Sequence, residues 1–454
     1  LPGPQPGPPP AWESQSSADW TPQPPPGWQP PPPGSWEPLG PQLPRPRRSH
    51  RTPFVAAIAT AAVIAGGTAS LIAFSNTNSG FGGAASPQEA VTSLVSDLNK
   101  SDLLGILDHL PPSERSALLG PLNEAINQAK RLHMLKGTAD PGRVSGVDVT
   151  ATGIQFANGD ETINDHVKVV KLVGGTIDIN ADLRRVPFTQ QFLDTAFPGG
   201  IPAGATSHET IKLADVNHEH GPVRVAAEEV HGRWYPSLMY TIADTAVHEN
   251  GGVNPGPSDY IAPRGAPSAV EAVKQAVVAL QNSDYQRLIE LTSPDELRVL
   301  HDYGGVILRN SSPASPGQGT IKDLQLNTRQ VSGATRVSLK SVTVAEPGHQ
   351  TTVAVDGSDC LDVTTDGNYR KFCANDIINA LNSDPLRNHP LTAEESAALS
   401  RFASGVPRIG IDVTSTDGQW YVNPVRSYLD LSNTLLEPLQ GNDLLVLIKL
   451  LTRS

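Results

Sequence analysis

The chain has 454 residues, 46 acidic and 34 basic, for a formal net charge of −12. That length supports two or three domains with their own cores. The acidic balance repels polyanions, so no nucleic acid is expected as a partner, and two cysteines cannot complete a metal-ligand set by themselves.

Residues 1–53 hold 19 of the 42 prolines, together with Trp12, Trp20, Trp28 and Trp36. Proline lacks an amide donor and favours extended polyproline II, so this tail is expected to be disordered. The tryptophans recur every eight residues, in contexts such as PPPGWQPPPPGSW. They read either as a repeated docking motif for a cytoplasmic protein or as a spacer whose aromatics touch the membrane surface.

From Phe54 to Phe74 the run FVAAIATAAVIAGGTASLIAF carries no charge. At helical rise it reaches roughly 31 Å, the thickness of the hydrocarbon core of a lipid bilayer. A transmembrane helix is expected over 54–74; the alternatives are a buried helix or a cleaved signal, against which the long proline-rich lead argues. Arg45, Arg47, Arg48 and Arg51 precede the run, and no Lys or Arg follows it until Lys100. The positive-inside rule then places the tail in the cytoplasm and residues 75–454 outside the cell membrane, as a single-pass topology. Ala62, Gly66 and Ser70 repeat at the spacing of a close helix–helix contact, or simply reflect an Ala/Gly-rich span. The tail is net +1, so the outer region is −13, a balance that serves solubility.

After a spacer at 75–86 the sequence repeats itself. Residues 87–119 shifted by 182 fall on 269–301, where Glu89, Ala90, Val91, Val95, Leu98, Pro112, Glu114 and Leu118 meet Glu271, Ala272, Val273, Val277, Leu280, Pro294, Glu296 and Leu300. Each copy reads as an amphipathic helix, a short second helix (Leu103 to Leu110; Tyr285 to Leu291) and a start signal for a third at Ser113 and Ser293. Alternating runs follow: Gly146 to Phe156, Val167 to Ile179 and Val223 to Val230 in the first copy; Leu324 to Val331, Val337 to Val344, Thr351 to Val355 and Ile409 to Thr414 in the second. Gly232-Arg233-Trp234-Tyr235 is answered by Gly418-Gln419-Trp420-Tyr421. Each reads as a last strand whose aromatics cover a helix. Helices first, then a mostly antiparallel sheet, predicts two α+β domains, at 87–245 and 267–430. Val247 to Pro267 is rich in Gly, Pro and Asn and reads as a linker, with 246–266 as its bounds. A C-terminal helical segment (431–454) contains NDLLVLIKLL, too short to span a bilayer; it is expected to pack on the second domain, or else on another subunit or the outer leaflet.

A helix, a short helix bearing Asp102 or Asp284, and strands closing on Gly-x-Trp-Tyr resemble the NTF2-like fold. That resemblance implies a curved sheet wrapped on a helix to form a cone with a pocket. With the proline-rich tail and the span, the chain also resembles envelope membrane proteins of actinobacteria. The inserted segments Phe188 to Ile211 and Ala374 to Val406 depart from a minimal domain of that kind. Members of the fold include isomerases, dehydratases, cyclases and non-catalytic accessory domains, and no catalytic motif of theirs maps here residue by residue.

Cys360 and Cys373 flank Asp366-Gly367, a two-residue hairpin signal. Counting outward from that turn sets Thr365 opposite Asn368 and Cys360 opposite Cys373, with Cα atoms about 4.5 Å apart in a non-hydrogen-bonded pair. A structural disulfide is expected in an oxidising compartment. No serine-nucleophile elbow, zinc-protease helix, phosphate loop or calcium loop is present. His218-Glu219-His220 offers two imidazoles on one face if it is a strand, with Asp215 or His208 to join them, but such pairs are common on polar loops. Asp102 and Asp284 read as helix-end residues rather than an acid/base pair, and Arg184-Arg185 and Arg370-Lys371 as solvated faces. No cofactor and no metal is expected. The sequence therefore points to a non-enzymatic envelope protein that binds or scaffolds a partner. The other readings are a carrier of a small apolar ligand and an isomerase- or hydrolase-type enzyme.

Overall fold

A computed structural model of the chain describes residues 83–99, 103–139, 146–311, 319–357, 359–383 and 390–452. The expected tail with its four tryptophans, the expected span at 54–74 and Asp102 lie outside the described residues. Among the described residues no helix is long and apolar enough to cross a membrane.

The first repeat runs α1 (Pro87–Leu98), α2 (Leu103–Asp108), α3 (Pro112–Arg131), β1 (Val147–Phe156), β2 (Glu161–Thr162), β3 (Val167–Asp182), α4 (Gln190–Ala196), β4 (Thr206–Lys212), α5 (Leu213–His220), β5 (Val223–Val230), β6 (Arg233–Pro236) and α6 (Leu238–Glu249). The second runs α7 (Ala269–Gln281), α8 (Tyr285–Glu290), α9 (Arg298–Asp302), α10 (Gly304–Asn310), β7 (Thr320–Val331), β8 (Ala334–Glu346), β9 (His349–Asp356), β10 (Cys360–Thr365), β11 (Asn368–Cys373), α11 (Ala374–Ser383), α12 (Ala393–Ala403), β12 (Gly410–Thr416), β13 (Gln419–Val422) and α13 (Pro424–Leu436). Helix α14 (Asp443–Thr452) follows. The fold is α+β, as expected. One sheet is ordered β1–β3–β5–β6, with β2 and β4 also on β3; the other is ordered β11–β10–β9–β8–β12–β13, with β7 also on β8. The pairings between these strands are antiparallel.

The repeat seen in the sequence extends to individual bonds. Ser86 and Ser268 cap α1 and α7 by accepting from Glu89 N and Glu271 N, each at 3.2 Å. Ala90 and Val91, and Ala272 and Val273, bury the helix faces against the sheets. Ala84 makes an isolated antiparallel bridge to Trp234, and Ala266 makes the same bridge to Trp420. Thr241 Oγ1 accepts from Ala226 N at 3.0 Å, and Ser427 Oγ accepts from Asp412 N at 2.8 Å. Two helices of like composition, capped alike and laid on like strands, reach one solution twice.

The repeats are joined by reciprocal helix packing. Helix α3 of the first lies on α13 of the second, while α9 of the second lies on α6 of the first. At one junction Asn433 Nδ2 donates to Pro121 O at 2.9 Å. At the other, Tyr240, Ala243 and Val247 pack with Val299, Tyr303 and Ile307.

Several expectations need correction. Helix α6 runs through the expected 245/246 boundary and α13 through 430/431, because each final helix is needed to cover its own sheet and to receive the other repeat. The linker is bonded to α9, with Ile261 N donating to His301 O and His301 Nδ1 donating to Ile261 O, both at 2.9 Å. The third helix of the second repeat starts at Arg298 rather than Ser293 and is divided at Tyr303. Helix α14 contacts both repeats, α12 on one side and α4 on the other. Leu445 and Ile448 there join Phe188 and Phe192 in one apolar cluster.

Candidate functional site

Cys360 and Cys373 form a disulfide, at a Cα separation of 4.0 Å. The register is the one counted from the turn: Thr365 opposes Asn368 and Cys360 opposes Cys373. Asp366 (φ 50°) and Gly367 (φ 83°) supply the two left-handed residues that such a hairpin requires.

Trp234, Tyr235 and Tyr421 are buried, and Trp420 is half-buried. Trp234 packs on Ala90 of α1, and Trp420 packs on the core beneath α7. Tyr235 and Tyr421 press on Gly83 and Gly265, where an added Cβ would come within 2.5 Å and 2.9 Å of the ring Cζ. Asp284 caps α8, accepting from Arg287 N at 2.9 Å. His218, Glu219 and His220 lie on α5, a helix rather than a strand, so residues two apart do not share a face. Among the described residues no group of three or more His, Cys, Asp or Glu is placed to hold a metal ion.

A titratable cluster that the sequence did not single out sits where α9 meets the first repeat. Asp302 Oδ2 accepts from Tyr240 OH at 2.5 Å, from His166 Nε2 at 2.8 Å and from Asn164 Nδ2 at 3.1 Å. His166 Nδ1 also donates to Asp165 at 2.8 Å. Burial pulls the imidazole pKa down, but the two carboxylates outweigh it and the value is raised. Burial pushes Asp302 up, yet its donors hold it below the usual carboxylate range. Burial and the Asp302 charge lift Tyr240 well above the usual phenol value.

Nearby, burial and the neighbouring Glu114 raise Glu228 to about 7, while Arg298 stands 3.9 Å away. Glu114 accepts from Ser237 Oγ, Leu238 N and Met239 N at the start of α6. Its burial still pushes the carboxyl up. One Asp302 oxygen thus gathers three donors, and the cluster bridges the two repeats as a clamp.

The reciprocal junction uses other chemistry. Tyr240 and Arg426 occupy equivalent positions of α6 and α13. Gly120 and Asp302 are likewise equivalent under the 182-residue shift, and a Cβ on Gly120 would lie 3.2 Å from the Arg426 guanidinium. Buried Arg336 donates to Asp412 at 2.8 Å and Asp430 at 2.5 Å, and also to Thr434. Arg426 adds a second cation, 3.8 Å from Asp412. The first repeat places Val169 and Ala226 where the second has Arg336 and Asp412.

The sheet faces on the α1 and α7 side differ more sharply. In the first repeat, Leu213 of α5 is fully buried, and with Val216 it packs on Ile177, Ile179 and Ile211. In the second repeat, strand pairing sets Leu324, Val342, Val353 and Val363 in one row and Val355, Leu361 and Phe372 in the next. Leu324 shares its face of β7 with Leu326, which packs in the core beneath α7; the rows therefore lie on the α7 side. None of the seven is buried, and Phe372 is 49% exposed. Helix α7 reaches β7 and β8, and α11 touches β11, but among the described residues no helix is laid across β9 and β10. The chain returns to β12 through α11 and α12, and among the described residues no helix takes the place of α5.

Comparison with known proteins returned no family model, no curated protein and no solved structure that matches this chain.

Proposed function

We propose that this chain is a non-enzymatic, single-pass envelope protein whose two extracytoplasmic repeats form one scaffold for a partner. The observation that carries the reading is the uncovered apolar face of the second repeat, set beside the closed face of the first. A sheet face of that composition is stabilised by being covered, at roughly 25 cal/mol per Å² of apolar area removed from water. The uncharged run at 54–74, with arginines before it, supports the membrane anchor and the orientation. The antiparallel sheets, each with an amphipathic helix packed on one face, support the NTF2-like resemblance. The proline- and tryptophan-rich tail would then present Trp12, Trp20, Trp28 and Trp36 to a cytoplasmic protein.

The same apolar rows also favour a second reading, a carrier whose cone takes a small apolar ligand. A photo-crosslinking amino acid placed at Phe372 of the full chain, in cells, separates the two. The scaffold reading expects a polypeptide adduct from Phe372 and none from exposed Glu209 on β4. Equal adducts from both positions, or none from Phe372, would overturn it.

A further inference from the structure

We infer that the uncovered face of the second repeat docks a short amphipathic helix with an acidic outer surface, in the place that α5 takes in the first repeat. This inference rests on the scaffold reading and names the partner's chemistry. The two repeats share their strand order around β3 and β8, their caps and their closing strands. In the first, the outer half of β3 is flanked by β1 and β4, and α5 returns over it with Leu213 and Val216 one turn apart. In the second, β7 and β9 flank β8 in the same way, but among the described residues no helix lies over that part of the face. A site shaped by a fold that elsewhere closes itself with a helix fits a helix of similar length, about two turns.

Charge points to the sign of the partner. Although the region outside is acidic overall, the rim of this face is not. Exposed Lys322 and Lys340 are the unpaired extra residues at the register shifts of β7 and β8, at the margin of the apolar rows. Exposed Arg370 lies opposite Val363, on the apolar face itself. Against these, Glu346 stands at the far turn beside the His349–Asp366 pair, and β10 adds no charge to this side. Helix α5 carries the matching pattern, with Asp215 and Glu219 beside its apolar pair.

The test uses the full chain in detergent and two fluorescein-labelled, lactam-stapled 14-residue helices. Both carry Leu and Val at the α5 spacing; one has Glu and the other Lys at the remaining positions. The acidic helix is expected to bind at least tenfold more tightly at low salt. Arg370→Glu with Lys340→Glu should abolish that preference. Val353→Asp should abolish binding, and Phe372→Ser, on an edge strand, should weaken it in a chain whose disulfide still forms. Equal affinity for both helices overturns the inference, as does acidic binding that survives Val353→Asp. A fluorescent fatty acid that displaces the peptide and is itself blocked by Phe372→Ser also overturns it, in favour of a small apolar ligand. Loss of the polypeptide adduct at Phe372 in cells, by contrast, counts against the scaffold reading whatever these peptides do.

Discussion

Tyr240 of the first repeat donates a 2.5 Å hydrogen bond to Asp302 of the second, across 62 residues of chain. The bond joins two buried groups, one of them charged, so it should matter more than a surface contact. Tyr240→Phe is expected to cost about 2 kcal/mol in denaturant unfolding. Asp302→Ala should cost more, because it leaves Tyr240, His166 and Asn164 without their common acceptor. A Tyr240→Phe protein as stable as the parent would show that the clamp contributes nothing.

The same cluster sets a pH dependence. Glu228 titrates near 7 in the folded chain, above its unfolded value, and His166 is also raised. For both groups the folded state holds its proton more tightly, so their contribution is present at low pH and is lost as pH rises through the folded pKa. Stability should therefore fall between pH 5 and pH 8. The groups facing Glu228 are Glu114 from α3, Arg298 and Asp302 from α9, and His166 ahead of β3. Glu228→Gln should flatten most of the fall, worth about 3 kcal/mol at the upper limit. A pH profile unchanged in that variant would assign the effect elsewhere.

The buried charges at the other junction behave differently. Arg336 holds Asp412 and Asp430 in a buried cluster, so removing it takes away the cation that the two carboxylates share. Arg336→Met is expected to destabilise by about 3–5 kcal/mol. Converting Arg336, Asp412 and Asp430 together to Val, Ala and Asn, which removes both carboxylates along with their shared cation, should recover much of that loss. Calorimetric melting of the single and triple variants tests both statements.

The disulfide closes a hairpin at the edge of its sheet, with a sequence separation of 13. Cys360→Ser with Cys373→Ser should lower local stability by roughly 3 kcal/mol in the chain-entropy picture. Hydrogen exchange should speed up over 360–373 and leave β12 and β13 unchanged. Acceleration spread over the whole second sheet would mean that the hairpin is part of the main cooperative unit.

Gly265 has no room for a methyl group, with Gln419 Cβ, Tyr421 Cζ and Trp420 O all within 3.0 Å of the place a Cβ would take. Gly265→Ala should cost about 1–3 kcal/mol by overpacking, and Tyr421→Leu should relieve only the share due to the ring, because Gln419 Cβ and Trp420 O remain. Additive losses in the double variant would refute the contact.

Much of the fold was legible because it depends on near neighbours. Alternation in residues 223–230 marked β5 to the residue, and the Asp-Gly turn fixed the Cys360–Cys373 register. The repeated Glu114 and Glu296 were visible as identities, but not their work: each receives a donor at the start of the repeat's last helix, Ser237 or Asn423. His166, Tyr240 and Asp302 escaped notice because they come from three distant segments and no spacing links them. The Arg336 network was hidden for another reason. Arg336 and Asp412 stand where the first repeat has Val169 and Ala226, so matching the repeats by identity passes over the positions at which they differ most. The strand reading of His218–His220 failed because tertiary packing of Leu213 and Val216 made that short polar stretch a helix.

Helices α3 and α9 are each seated on the other repeat's last helix, which is the contact pattern of a symmetric dimer. In a true dimer of identical subunits, every substitution appears on both sides at once, so a contact can change only in ways that suit its own copy. Within a single polypeptide each junction occurs once, and the tether of residues 246–266 holds the halves together at an effective concentration on the order of millimolar. Tyr240 and Arg426 are therefore free to answer to different neighbours, and one sheet face can stay open while its twin is shut, without either half being lost on dilution.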